Sequence, residues 1–386
     1  MKAKRLSITT MLLVIVLTAS PVSCIQDGCP LLALDESCTE NVGTISAYEI
    51  HSEISIEQNS DFADLGFSGD GTESNPYVIT GYEVHSRNAC ITISHTWVHF
   101  EVRNCYLTAE DRDAGIGINL VNVINGKVLD CVINQISVGV YLDSCYNTSV
   151  SRCSISEQSY GAQSISGAIV SSYSQNCSLC QNTIVDCQYG ARLDQSEFCV
   201  VKRNTITRSE ISHICLSSGK NHTIDGNYLS GSCEEGLKIE WVSTCSIYNN
   251  TMVHCGVYME GPSINFWNHF EANNTVNGKP LGYFKDISNC EIDIGPYGQV
   301  FAYRCENVIF SDLDVSDTTT GFSAFISPNV TLTESNIDSV RHGIYLEICW
   351  YSTVSNCSFS NCAMNAIEIS SSQYSHVVNN SITYDP

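Results

Sequence analysis

A chain of 386 residues with 41 acidic and 18 basic side chains, net charge −23, offers no cationic surface to nucleic acid or to an anionic bilayer. Charged residues make up only 15% of it and apolar residues 43%, which favours a sizeable core over a disordered chain or a loose string of domains.

At the N-terminus Lys2, Lys4 and Arg5 precede the apolar run MLLVIVLTAS, which is too short and wrongly flanked to span a membrane. Residues 1–24 therefore read as a secretory signal, with a lead segment over 25–47 behind it. The stretch PVSC also fits a lipoprotein-type site that would anchor the chain at Cys24, although Pro21 stands where such sites carry an aliphatic residue. No later segment is apolar enough to cross a membrane, so an extracellular or cell-surface location is expected.

From residue 48 onward the chain repeats itself. Glycine-led phrases recur as GVYLD (139–143), GAIVS (167–171), GARLD (190–194), GLKIE (236–240), GVYME (256–260) and GIYLE (343–347). Gly167, Gly190, His213 and Gly236 stand 23 residues apart. About ten residues before each lies a second phrase, such as QNTI (181–184), RNTI (203–206) and NNTM (249–252). Short strands of β-branched residues between Gly, Asn, Ser and Asp turns cannot bury a face alone, but stacked coil on coil they can. The expected fold is an all-β, single-stranded parallel β-helix, or solenoid, over 48–386, with about 14–15 coils of roughly 23 residues.

Alternation then assigns faces. In GARLD, Ala191 and Leu193 point inward and Arg192 and Asp194 outward. Asn182, Asn204, Asn227, Asn250, Asn274 and Asn380 fall at one bend, where their amides can bond coil to coil; Cys105, Cys131, Cys153 and Cys357 replace them elsewhere. Two further cysteine registers read Cys187, Cys233, Cys255, Cys362 and Cys145, Cys199, Cys245, Cys349. Such columns suit small buried hydrophobes better than disulfides, which need particular geometry.

Chemistry is sought on the outward stripe beside the glycines: Tyr141/Asp143, Ile169/Ser171, Arg192/Asp194, Cys215/Ser217, Lys238/Glu240, Tyr258/Glu260, then Tyr345/Glu347 and Glu368. Glu240 and Glu260 on adjacent coils would match a retaining carboxylate pair, and Lys238 with Tyr258 a lyase base and acid. Tyr141, Asp143, Arg192, Asp194, Tyr345 and Glu347 would contact a glycan, although any soluble solenoid shows charges and tyrosines outward. Asp111 and Asp113, in EDRDAG, and Asp312 and Asp314, in DLDVSD, could hold a calcium ion through oxygen ligands. Trp97 and Trp350 fall near turns and could stack on sugars. Sequons at Asn147, Asn176, Asn221, Asn249, Asn273, Asn329, Asn356 and Asn379 are candidate glycan acceptors on an exported protein.

The stretch GFSGDGTESNPYVITGYEV (66–84) resembles the opening segment of right-handed parallel β-helix proteins of archaeal cell surfaces. NNTVNGKPLGYFKD (273–286), followed by GQVFAYRCENVIFSDLDVS (298–316), resembles the N-G-K-P insertion of the NosD-like group. The resemblance implies a right-handed helix interrupted near 273–300 by a connecting loop, and a periplasmic copper-accessory role for part of the group. HTWVH (95–99) is the nearest approach to a histidine cluster, so His95 and His99 are the copper candidates. The Gly-His-Gly segment of galacturonase-like enzymes is absent, RHG (341–343) being a poor echo, and so is an epimerase-like Asp-Pro-His.

The expectation is an exported surface protein, structural or glycan-binding and non-catalytic, whose partners are envelope glycans or surface-layer proteins. A polysaccharide lyase or glycoside hydrolase is the alternative, and a copper-accessory protein the third reading. The chain stops at NNSITYDP, after an asparagine phrase and before a glycine strand, so the expectation is either a partner or a second copy covering that open coil or a chain shortened relative to its relatives.

Overall fold

The computed structural model describes residues 48–110, 115–156, 166–231, 234–260, 268–271 and 273–384, which leaves Asp111 and Asp113 outside the described residues. These residues form the expected parallel solenoid, of about 12 turns. The count falls below 14–15 because some coils exceed the mean period: Ile155 pairs with Ile184, 29 positions on.

Each coil lays one short strand on each of three faces. The first face carries the glycine-led strands, from Ala89–Thr96 and Ile116–Val123 to Glu235–Glu240 and Val257–Glu260, all parallel. The second runs from Tyr77–Thr80 to His269–Phe270, and the third from Tyr82–Ser86 to Thr275–Val276. Strand residues alternate inward and outward, so Val140, Leu142, Ala191, Leu193, Ile214, Leu216, Leu237 and Ile239 stack inside with at most 1% exposure. Fully burying such a side chain stabilises by about 1.5–3 kcal/mol, which a lone coil could not achieve.

The recurring glycine answers to space between coils. A Cβ on Gly139 would lie 2.4 Å from the Ala168 carbonyl oxygen one coil away, and one on Gly256 would lie 2.3 Å from Thr318 Oγ1. Corners are turned mostly by non-glycine residues in the left-handed region, such as Ser144, Gln195, Ser218 and Asn249 at φ 47–58°. Short polar residues tolerate that region best, which is why Asn, Ser and Asp punctuate the repeat.

The asparagine bend is a continuous buried ladder. Nδ2 of Asn182, Asn204, Asn227 and Asn250 donates to Oδ1 of the next member at 2.9–3.0 Å, ending on Asn274. Each Nδ2 also donates to a strand carbonyl, and each Oδ1 receives the backbone N–H of the preceding residue in the column. Cys105, Cys131 and Cys153 continue the column below Asn182, Cys153 N–H donating to Asn182 Oδ1.

The seventeen described cysteines are free thiols, fourteen of them buried. The register grouping Cys145 with Cys199 and Cys245 is corrected. Cys145 shares its corner with Ser174 and Ser196, whereas Cys199 and Cys245 stack with His222 and Asn268 one corner on. His222 accepts from Cys199 N–H through Nδ1 at 3.3 Å and is 1% exposed; burial holds its imidazole down at about 4. An unfolded His222, with its ordinary value of 6.5, takes up the proton first as pH falls. Its contribution is therefore fully present above about pH 6.5 and is lost progressively toward about pH 4, by roughly 3 kcal/mol. His222→Asn, which copies Asn268 in the same column, should flatten that slope between urea midpoints at about pH 7 and pH 4.5; an unchanged slope would count against the assignment.

The first stack ends at an Asn-Gly hairpin. Asn277 and Gly278, at φ 50° and 79°, return the chain antiparallel, pairing Thr275 with Pro280 and Val276 with Lys279. A second stack follows, whose first face holds Lys279–Lys285, Gln299–Tyr303, Thr320–Phe325, His342–Glu347 and Asn365–Ser370. Asn277 and Lys279 tie the hairpin to it, donating to the carbonyls of Ser316, Asp317 and Asp314 at 2.7–3.0 Å. The outer face of this stack covers the last coil of the first, for Phe301, Tyr303 and Phe325 point away from their own core and are at most 5% exposed within the other. Among the described residues Val257 has no strand beyond it there. Gln299 supplies a substitute, its amide accepting from Val257 N–H at 2.9 Å and donating to Val257 C=O at 2.6 Å. Thr319 Oγ1 accepts Gly256 N–H at 2.9 Å alongside. A solenoid end that would expose a strand edge is thus capped from within the chain.

Candidate functional site

Strand register fixes the outward stripe. Tyr141 and Asp143 stand opposite Val170 and Ser172, followed by Arg192/Asp194, Cys215/Ser217, Lys238/Glu240 and Tyr258/Glu260. The placement of Ile169 and Ser171 on this stripe is corrected: both point inward and are at most 1% exposed. Ala168, not Gly167, occupies the glycine column, because the long coil before it shifts the phrase by one residue and so reverses the faces. Along the stripe Arg192 pairs with Asp194 at 2.8 Å and Lys238 with Glu240 at 3.5 Å. Glu240 and Glu260 are direct register partners.

The stripe runs into the second stack. Tyr258 stacks on His342 with ring centroids 4.9 Å apart. Tyr345 and Glu347 face this last strand from the other stack, with Glu368 in register beside Tyr345. Two sheet faces therefore meet at a re-entrant corner that gathers Lys238, Glu240, Tyr258 and Glu260 from one stack and His342, Tyr345, Glu347 and Glu368 from the other. Glu235 and Arg341 stand behind them: Ser212 Oγ donates to Glu235 at 2.8 Å, and Arg341 lies 3.9 Å from Glu235 and 3.0 Å from Glu234.

Burial and crowded carboxylates set the corner's electrostatics. Burial, then Glu260 and Glu368, pushes the Tyr258 phenol up to about 12, and burial with Glu347 raises Tyr345 as well. Burial raises the Glu347 carboxyl; the hydrogen bond from Tyr345 opposes this, and Glu260 and Glu368 add to it. Glu347 Oε2 is buried without a hydrogen-bond partner. Burial would lower Lys238, but Glu240 and Glu235 outweigh it and hold the ammonium charged. Burial and then Arg341 keep His342 below the usual imidazole range. Five carboxyl groups thus surround two cations and three stacked or half-buried rings, an arrangement that can grip sugar rings and hydroxyls and repels anionic polymers.

The other candidates lie apart. Asp312 turns a corner at φ 66°, and Asp314 accepts from Asn336 Nδ2 at 3.1 Å. His95 is exposed at a left-handed bend, while His99 lines a polar cleft of about 240 Å³ with Glu73, Lys127 and Asn147. Trp97 and Trp350 are exposed, Trp350 Nε1 donating to Ser371 C=O at 3.3 Å. Of the sequon asparagines, Asn147, Asn176, Asn249, Asn273, Asn329, Asn356 and Asn379 are exposed and Asn221 is partly so. A cleft of about 500 Å³ lined by Glu210, Glu234, His254, Asp317 and Arg341 opens next to the corner. Sequence reasoning did not assign Glu235, Arg341 or His342 to the site; the RHG stretch is the only signal for Arg341 and His342, nothing local says which stack it faces, and Glu235 has no signal of its own.

No helix among the described residues is long and apolar enough to cross a membrane. Among solved structures the chain is similar to the periplasmic alginate epimerase AlgG, at 12% identity over 86% of this chain and 84% of that one, with a TM-score of 0.42. It is also similar to the catalytic unit of a GH87 α-1,3-glucanase from Streptomyces thermodiastaticus (12%, 89% and 70%, 0.39) and to a PL6 alginate lyase (10%, 81% and 86%, 0.38). No curated protein matches. A right-handed β-helix family model matches residues 282–385, and the NosD model, described as a periplasmic copper-binding protein, matches residues 55–280. Copper finds no prepared donor set here: among the described residues no group of three or more His, Cys, Asp or Glu could hold a metal. The NosD match covers more than half of the chain and ends at the Asn-Gly hairpin where the first stack does, so this protein belongs to the NosD family of right-handed β-helix proteins.

Proposed function

We propose that this is an exported glycan-binding protein of the cell envelope whose ligand, a neutral or amino-bearing sugar chain, lies in the corner between the two stacks. The observation that carries this reading is the charge balance there: Glu235, Glu240, Glu260, Glu347 and Glu368 against Lys238 and Arg341, around the rings of Tyr258, His342 and Tyr345. Such a site repels uronate chains and accepts hydroxyl and ammonium donors. Export is supported by the basic, then apolar N-terminal stretch and by the periplasmic description of the family.

One observation favours a second reading, glycoside hydrolysis. Glu347 is held toward its protonated form beside Glu260 and Glu368, as a general acid facing a carboxylate base requires. A panel of neutral, amino and uronate glycans tests both. Binding of neutral or amino chains, with uronates rejected, is expected, and preferential uronate binding contradicts the proposal. Product release that Glu347→Gln lowers by about 10²-fold or more, with binding retained, establishes hydrolysis; binding without turnover leaves the glycan-binding reading alone.

A further inference from the structure

Far from the junction, the bend between the first and second faces carries an apolar ridge. Trp97, Ile124, Tyr146 and Gln175 hold one position on successive coils: Thr96 pairs with Val123 just before the first two, and single bridges join Ile124 to Tyr146 and Tyr146 to Gln175. Trp97, Ile124 and Tyr146 are 66%, 39% and 46% exposed, whereas the column continues as the polar Glu197, Lys220 and Ser243. At the spacing of parallel strands, about 4.8 Å, the apolar part is about 10 Å long. A contiguous apolar strip left in water and rimmed by polar side chains marks a contact surface. The polar cleft of about 240 Å³ that His99 lines runs along the same coils. Its Asn125 and Asn147 directly follow Ile124 and Tyr146, and it reaches Asn176 and Ser178, on the coil where the ridge turns polar with Gln175. Ridge and cleft are therefore coextensive. Both are also held in place: Trp97 N–H donates to Asn59 Oδ1 at 3.1 Å, and Asn147 Nδ2 to Asn125 Oδ1 at 2.7 Å. The charges nearby cancel, Glu101 lying 3.4 Å from both Lys127 and Arg103, with Glu73 against the remaining cation.

Resting on the glycan reading above for the class of ligand but not for its place, we infer that ridge and cleft form a second glycan site, which takes a neutral, linear chain of hexoses with equatorial hydroxyls. Such rings present a flat C–H face, which stacks on the indole of Trp97 and the phenol of Tyr146 with Ile124 between them. Their rim hydroxyls then meet the amides of Asn125 and Asn147 and the outward hydroxyls of Ser149 and Ser178. The apolar length matches about two sugar rings, and a cleft smaller than a drug-sized pocket suits one edge of such a chain. Balanced charge gives neither a uronate nor an amine an advantage here, in contrast to the carboxylate-rich corner. Five coil steps separate Tyr146 from the coil of Glu260, about 24 Å, so the two sites are separate surfaces.

Calorimetric titration of the full protein with cellohexaose, a neutral chain of equatorially substituted glucose rings, tests this. Because Asn147 and Asn176 are also candidate glycan acceptors, the protein is produced in a host without N-glycosylation. Trp97→Ala and Tyr146→Ala, at exposed positions that leave the core intact, should each weaken binding about tenfold. Ser149→Leu, which fills the cleft beside an unchanged ridge, should do the same. Trp350→Ala, at the other exposed turn tryptophan, should bind as the native protein does. Failure of the native protein to bind cellohexaose overturns the inference. Binding that survives Trp97→Ala or Ser149→Leu, or that is lost equally in Trp350→Ala, overturns it as well, by placing the sugar elsewhere. Each of these results leaves the corner between the stacks to be decided by the glycan panel.

Discussion

Replacing Asn227 with alanine should cost about 3–5 kcal/mol, as much as truncating a large core side chain. Asn227 is 1% exposed and makes four hydrogen bonds: Oδ1 accepts Asn204 N–H and Nδ2–H at 3.0 Å, and Nδ2 donates to Val201 C=O and Asn250 Oδ1 at 2.9 Å. Truncation takes the partner from two Asn204 donors and from the Val201 carbonyl, buried where water cannot follow, and leaves Asn250 Oδ1 with the residue 227 N–H alone. Asn380 occupies the equivalent bend of the second stack, in a separate column with Ser335 and Cys357; it is partly exposed and bonds only Val354 C=O and Cys357 N–H, so Asn380→Ala should cost about 1 kcal/mol. Urea unfolding of the two variants checks the pair; equal losses would show that the ladder carries no continuity energy.

Gln299→Leu should open the junction between the stacks. Leucine matches the volume of glutamine but strands Val257 N–H and C=O in a buried site, at a cost of about 2–5 kcal/mol. The loss is local: Gly256–Glu260 would fray from the second stack while the ladder below stays folded, since solenoid coils depend on their neighbours alone. Amide exchange should accelerate at residues 256–260 and remain unchanged at the Asn204–Asn250 rungs. Unaltered exchange at the former would mean that the aromatic cap of Phe301, Tyr303 and Phe325 holds the junction without Gln299.

These residues show how far the chain can be read without coordinates. Alternation placed Leu193 inside and Arg192 outside, and a bend recurring at a near-constant period exposed the ladder, because in a solenoid sequence spacing becomes spatial adjacency. The same logic failed at Ile169, where one long coil moved a glycine by a single position and reversed the faces. It was silent about the corner. Phe301 and Phe325 read as ordinary strand residues, and no local pattern says that their outward rings cap another stack. Tyr345 and Glu347 were legible as outward, but not as neighbours of Tyr258 and Glu260, since that contact depends on where the Asn-Gly hairpin returns the chain.

The central claim is that one ligand site is built from both stacks. Hydroxyl-radical footprinting of the tyrosines, with and without saturating glucosamine hexamer, tests it most directly. Tyr258 of the first stack and Tyr345 of the second should lose reactivity together, and exposed Tyr374, stacked on Tyr351 at a distant corner, should not change. Protection of Tyr258 without Tyr345, or of Tyr374 in place of both, would contradict the account.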